Sequence, residues 1–197
     1  CNQTVHHCQD IRQKSSLIEY FYSVAAIIMK KLPHIHKSSD IDVLNMFRCA
    51  TAALIVPEKP TVKSATYFIT EFINKSRENE ALQRVINAEG EALVDQVLNV
   101  IGGDCSPRIN VELMADILAV LNSKYFESLC RWLTLFVNKP AFSNSKATPE
   151  QKELFVKSLL RERKNRSKIK EIVNEFSLIC RGLIGTEYAQ QQIKLPY

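Results

Sequence analysis

The sequence has little glycine, five residues in 197, and no sustained alternation of β-branched and polar residues. The second absence argues against a sheet, because half-buried strands carry that alternation. The first leaves little material for loops that cradle phosphates. The one glycine pair, Gly102-Gly103, has neither the following lysine nor the preceding strand that such a loop needs, and it reads as a helix stop. Long apolar runs are missing too. The most apolar stretch, Val24 to Met29, is closed by Lys30 and Lys31, far short of the roughly 20 residues that span a bilayer. No membrane partner is expected.

The six cysteines, at positions 1, 8, 49, 105, 130 and 180, lack the regular spacing of a disulfide framework, and reduced thiols of the cytosol or nucleus fit them best. Cys1, His6, His7 and Cys8 are close together but contain no C-x₂-C or H-x₃-H element, so no metal ligands are assigned. A thiol–imidazole pair would have to join His34 or His36 to Cys49 or Cys130. Both cysteines lie in apolar helical patterns and are predicted to be small buried hydrophobes. The carboxylates form no pair that stands out from a solvated face. No catalytic residue and no cofactor-binding residue is assigned, and the chain is not expected to be an enzyme. The chain begins at Cys1 and not at a methionine, and its first ten residues lack a charged n-region, an apolar h-region and a small-residue cleavage site, so it reads as a piece of a longer protein and not as a secretory precursor.

What is present is helical punctuation. With 46% hydrophobic and 24% charged residues the chain can bury a core, and apolar residues recur at three- and four-residue steps. Ile11, Leu17, Ile18, Phe21, Val24, Ala25 and Ile28 predict one stripe, ended by Pro33. Ser39 and Asp42 read as an N-cap and a first-turn acid ahead of Leu44, Phe47, Leu54 and Ile55. Pro60 opens a third helix through Phe68 and Phe72, and a fourth runs from Leu82 to Ile101. Ser106-Pro107 predicts an N-cap and first helical residue ahead of Ile109, Leu113, Ile117 and Leu121. A helix from Tyr125 to Val137 follows. Thr148-Pro149-Glu150-Gln151 is a capping box for Leu154, Phe155, Leu159 and Leu160. Ile169, Val173, Phe176 and Leu183 form the last stripe, with Gly182 and Gly185 behind it. About eight helices result. The first members of successive pairs start near Asp10, Pro60, Ser106 and Thr148, a spacing of about 40 to 50 residues that fits an all-α solenoid of some four HEAT-like antiparallel helix pairs. A closed helical bundle is the alternative that periodicity leaves open.

One surface feature stands out. The net charge of +5 gathers at Arg161, Arg163, Lys164, Arg166, Lys168 and Lys170. These cations are either a solvated corner between helices or a docking surface for an acidic protein. Nucleic acid is disfavoured, because no aromatic residue interleaves the cations for base stacking. Trp132, amid Leu129, Leu133 and Phe136, reads as core rather than as an interface anchor.

Three stretches resemble the late repeats of the importin-β (karyopherin) superfamily. They are Phe47-Arg48-Cys49-Ala50-Thr51-Ala52-Ala53-Leu54 with Pro57-Glu58-Lys59-Pro60, then Val100 through Leu118, and then Thr148-Pro149-Glu150-Gln151-Lys152 through Leu178-Ile179-Cys180-Arg181-Gly182-Leu183 to Tyr188. The resemblance implies a HEAT-repeat receptor that shuttles between nucleus and cytoplasm with protein cargo. It implies control by the GTPase Ran in its GTP form, bound chiefly by an N-terminal part that this chain lacks, and contact with nucleoporins. Residues 1–197 would be its C-terminal arch, with 1–9 the end of a preceding repeat or a loop. The superfamily places the second helix of each pair on the cargo-facing side. By helical phase the candidate contacts there are Gln83, Arg84 and Asn87, then Lys124, Glu127 and Arg131, then Lys168, Glu171 and Asn174. The superfamily tends to be acidic and this stretch is basic, which points to cargo with acidic surfaces. A HEAT scaffold of another assembly and a basic nucleic-acid-binding module are the alternatives.

Overall fold

The computed structural model describes residues 14–31, 42–103, 107–139 and 145–184. Among them are eight α-helices and no strand. The helices are α1 Ser15–Lys31, α2 Val43–Ala52, α3 Lys59–Ser76, α4 Glu80–Gly102, α5 Val111–Lys124, α6 Phe126–Asn138, α7 Pro149–Arg161 and α8 Arg166–Cys180. No helix among the described residues is long and apolar enough to cross a membrane.

Side chains cap four of the eight helix starts. Asp42, Asn79 and Asn165 accept the backbone N–H three residues ahead, at 3.0, 3.1 and 3.0 Å, satisfying donors that a helix start leaves open. Thr148 and Gln151 form the predicted capping box in both directions, at 3.3 and 2.9 Å. Replacing Thr148 by alanine is expected to cost about 1 kcal/mol, read as a lower midpoint in chemical denaturation with an unchanged slope. Gly103 ends α4 at φ 102°, in the left-handed region that glycine enters without a Cβ penalty.

Two starts differ from the sequence reading. Ser39 lies outside the described residues, and the cap of α2 is Asp42 itself. Ser106 is also outside them, and Pro107 does not begin the helix. Its extended backbone, ψ 145°, leads into a 3₁₀ turn over Arg108–Asn110, and the α-helix begins at Val111.

The predicted stripe on α1 is partly out of phase: Ala25 is buried and Ile18 packs against the core as expected, Ile11 lies outside the described residues, and the other buried positions are not those of the stripe. Tyr22, Ala25, Ala26 and Met29 are buried, while Leu17, Phe21 and Val24 are about half or more exposed. Tyr22 decides the phase. Its ring packs on Phe68 at 5.2 Å and its hydroxyl donates to the carbonyl of Met46 at 2.9 Å, so one residue ties α1 to both α3 and α2. Leu154 and Ile109, also assigned to core stripes, are exposed at 64% and 56%.

The helices stack in two layers, α1, α3, α5 and α8 in one and α2, α4, α6 and α7 in the other. In the first, Thr61 donates to the carbonyl of Ser15 at 3.2 Å and Ser23 meets Ser64 at 2.9 Å. In the second, Arg48 pairs with Glu89 at 2.7 Å and Trp132 lies against Gly90. The first three pairs therefore each give their first helix to one layer and their second to the other. The last pair reverses this. α7 follows α6, and α8 continues the layer of α5, running antiparallel to it: Lys170 faces Asp116 at 3.7 Å, and Arg166 shares a cavity with Lys124. α8 is also fixed to the end of α4, where Ser177 donates to the carbonyl of Ile101 at 2.9 Å and Arg181 to that of Val100 at 3.1 Å.

The centre of the stack is α5, whose Met114, Ala115, Ile117, Leu118, Val120 and Leu121 are all buried. A helix apolar on nearly all sides is what a position between four neighbours requires. Asn122, fully buried on the same helix, donates to the carbonyls of Leu159 and Glu162 at 2.9 and 3.3 Å and so holds the end of α7 beside the end of α5.

Candidate protein-binding surface

The two layers separate the residues that helical phase had grouped. Gln83, Arg84 and Asn87 lie on α4, and Glu127 and Arg131 on α6, all in the second layer. Arg84 is engaged with Glu80 at 3.1 Å and Arg131 with the Ser128 hydroxyl at 3.2 Å. Lys168, Glu171 and Asn174 lie on α8 in the first layer, and Lys124 ends α5 in that same layer. There are two causes: counting helices alternately puts α8 with α4 and α6, whereas its packing puts it with α5, and α5 runs on to Lys124 before α6 begins at Phe126. Trp132 is core, 8% exposed.

The cysteines correct a second reading. Cys49 is exposed and Cys130 half-buried; only Cys180 of the described three is buried. Burial pushes the Cys180 thiol above its ordinary pKa, keeping it protonated where an exposed thiol begins to ionise. In the native protein at pH 8, Cys49 is expected to react with a maleimide within minutes and Cys180 to resist until denaturant is added, with peptide mass mapping as the readout. Cys1, Cys8, Cys105, His6, His7, His34 and His36 lie outside the described residues. Among the described ones no group of His, Cys, Asp and Glu could hold a metal ion.

The basic segment is where the structure gathers chemistry. Arg161 closes α7, Arg163 and Lys164 form the turn, and Arg166, Lys168 and Lys170 lie in the first turns of α8. Some of this charge is neutralised. Lys168 donates to Glu171 at 2.7 Å, which raises its pKa, and Lys170 faces Asp116. The Arg163 guanidinium lies 3.4 Å above the centroid of the Phe126 ring, a cation–π contact that fixes the side chain without cancelling its charge. Arg161, Lys164 and Arg166 are exposed and form no ion pair among the described residues.

Beside them is a cavity of about 290 Å³. Lys124, Arg163, Lys164 and Arg166 line it, with Ala119, Val120 and Ile169 as apolar lining and Asn74 and Ser123 as further polar groups. Four cations from two distant parts of the chain thus converge on one concavity. Nothing local in the sequence shows that the ends of α3 and α5 meet the α7–α8 turn, so helical phase separates Lys124 from the basic run and does not mark Asn74 or Ser123.

Residues 54–129 match the family model described as "Importin 13 repeat". Importin-13 of Rattus norvegicus and of Homo sapiens are each 38% identical to the chain over 180 residues, 91% of this chain and 19% of theirs. Importin beta-like protein kap111 of Schizosaccharomyces pombe is 28% identical over 171 residues, 85% of this chain and 17% of its own. A solved structure described as "Importin13 cytosolic state" superposes with a TM-score of 0.83 at 23% identity, over 89% of this chain and 20% of that one, which shows the fold. The chain spans about a fifth of the length of the curated relatives it matches.

Proposed function

Because the chain belongs in sequence and fold to the importin-13 family, as one segment of such a protein, we propose that it is a protein-binding segment of a nuclear transport receptor, one that carries protein cargo through nuclear pores under control of Ran-GTP. The observation that carries this reading is identity of 38% sustained across 91% of the chain, which helical periodicity alone does not produce. The segment is then the C-terminal HEAT arch, with residues 1–9 the end of a preceding repeat or a loop. Ran-GTP binds elsewhere on the receptor, and nucleoporins and protein cargoes are its other partners.

An exposed apolar row on α1 supports the place of the segment within a longer stack. Leu17, Tyr20, Phe21, Val24 and Ile27 are each at least 49% exposed, and repeat proteins bury such faces against a neighbouring repeat. No catalytic constellation is assigned, and transport requires only binding and release. Small rotations between stacked pairs change the curvature of a solenoid, so a ligand bound at one end alters the surface offered at the other.

Shuttling is the cellular consequence. With the full-length protein fused to a fluorophore, repeated bleaching of the cytoplasm is expected to deplete the nuclear signal within minutes. A nuclear or cytoplasmic pool that does not exchange would contradict a transport receptor.

A further inference from the structure

We propose that the cavity between the α7–α8 turn and the C-terminal ends of α3 and α5 is a docking site for an acidic peptide segment, one that brings several carboxylates to its cations. It rests on the reading of this chain as a protein-binding segment and names the partner chemistry of one site on it. Its carboxylates meet Lys124, Lys164 and Arg166, while Val120 and Ile169 at the floor are 4% and 1% exposed and leave the recognition to charge.

Three observations carry the proposal. First, the charge is unbalanced where the wall is concave: Lys124, Lys164 and Arg166 are exposed and form no ion pair among the described residues. Neighbouring cations elsewhere on the same segment do find acids, Lys168 in Glu171 and Lys170 in Asp116. Second, part of this charge sits where it is locally unfavourable. The first turn of α8 holds Arg166 and Lys168 and no acid, although the partial positive charge of a helix start favours acids there. Departures from local preference mark positions kept for something other than helix stability. Third, the geometry is fixed beforehand. Arg163 is held on Phe126, Asn122 ties the end of α7 to α5, and Asn165 caps α8, so the backbone needs little ordering when a ligand enters and the cost falls on the three exposed cations.

Phosphate is the competing anion. Phe126, the ring that the turn touches, already has Arg163 over one face, which leaves it poorly placed for base stacking.

The test uses the full-length protein and a fluorescent peptide carrying several glutamates, followed by anisotropy. The double variant Lys164→Glu/Arg166→Glu is expected to weaken binding about tenfold or more, since two lost attractions become two repulsions of up to about 1 kcal/mol each. Lys63→Glu, an exposed position near the start of α3, should leave it unchanged, and the peptide with glutamine for glutamate should not compete. Circular dichroism checks that each variant is folded. Equal affinity of the double variant, or equal binding of the glutamine peptide, would overturn the proposal. So would tighter binding of an oligouridylate that the same reversal abolishes, which would assign the cavity to phosphate. Loss of the peptide site with Ran-GTP-sensitive cargo capture intact would remove this site and leave the receptor reading standing.

Discussion

Replacing Gly90 by valine is expected to destabilise the protein by about 2 to 3 kcal/mol, although the change removes a glycine from the middle of a helix. In an exposed helix interior, glycine costs about 1 kcal/mol relative to alanine, and its replacement would stabilise. Here a Cβ at position 90 would lie 2.1 Å from Cη2 of Trp132, 2.4 Å from Cζ2 and 2.8 Å from Cζ3. Those distances are far inside van der Waals contact, and the obstacle is a rigid indole 8% exposed between α4 and α6, not the free end of a flexible chain. Close-packed interiors give way to an added methyl only by moving whole side chains or backbones. The missing side chain of Gly90 is therefore the space that lets the second and third pairs meet. Alanine should already lower the melting temperature, valine should lower it further, and Trp132→Leu should be less harmful in the valine background than in the wild type. A valine variant as stable as the parent would show that the indole does not occupy that place.

The second large effect is expected at Phe176, where truncation to alanine should cost about 3 to 5 kcal/mol. Phe176 is 2% exposed, stacked on Phe155 with centroids 4.0 Å apart and 11° between planes, and edge-on to Phe136 at 6.4 Å. It joins α8 to α7 and α6 at once. The remaining anchors of α8 are Ile169 and Val173 on the same stripe and the Ser177 and Arg181 hydrogen bonds to the end of α4. Stability in stacked repeats is distributed by neighbour contacts, so the loss should be local. Amides of residues 166–180 are expected to lose hydrogen-exchange protection while those of α3 and α4 keep theirs. Uniform loss along the chain would mean that α8 is not a separable unit. Because Arg166 belongs to α8, the same variant should also lose the acidic peptide.

Several element boundaries are legible because their causes are local. The capping box at Thr148, the glycine stop at Gly103 and the proline entry at Pro60 each depend on residues within one turn, and each is found where the sequence puts it. The phase of α1 was not legible, since Leu17, Ile18, Phe21, Tyr22, Val24 and Ala25 spread apolar character over more than half of the helix. Which side is buried is decided by Phe68 and Met46, distant in sequence. The position of α8 escaped for the same reason. Caps and stops say where a helix begins and ends; they do not say which of two layers it joins. That choice follows from contacts of Asp116 and Val120 on one side and Ile101 on the other. The candidate surface shows both cases. The basic run Arg161 to Lys170 was visible as composition, whereas its meeting with Lys124, Asn74 and Ser123 exists only in three dimensions.

Cargo capture tests the central claim most directly. The full-length protein, immobilised and exposed to nuclear and cytosolic extract with and without Ran locked in its GTP form, is expected to recover a distinct set of proteins whose composition changes with Ran-GTP. Recovery of the same set in both conditions would contradict a transport receptor and leave a constitutive HEAT-repeat scaffold.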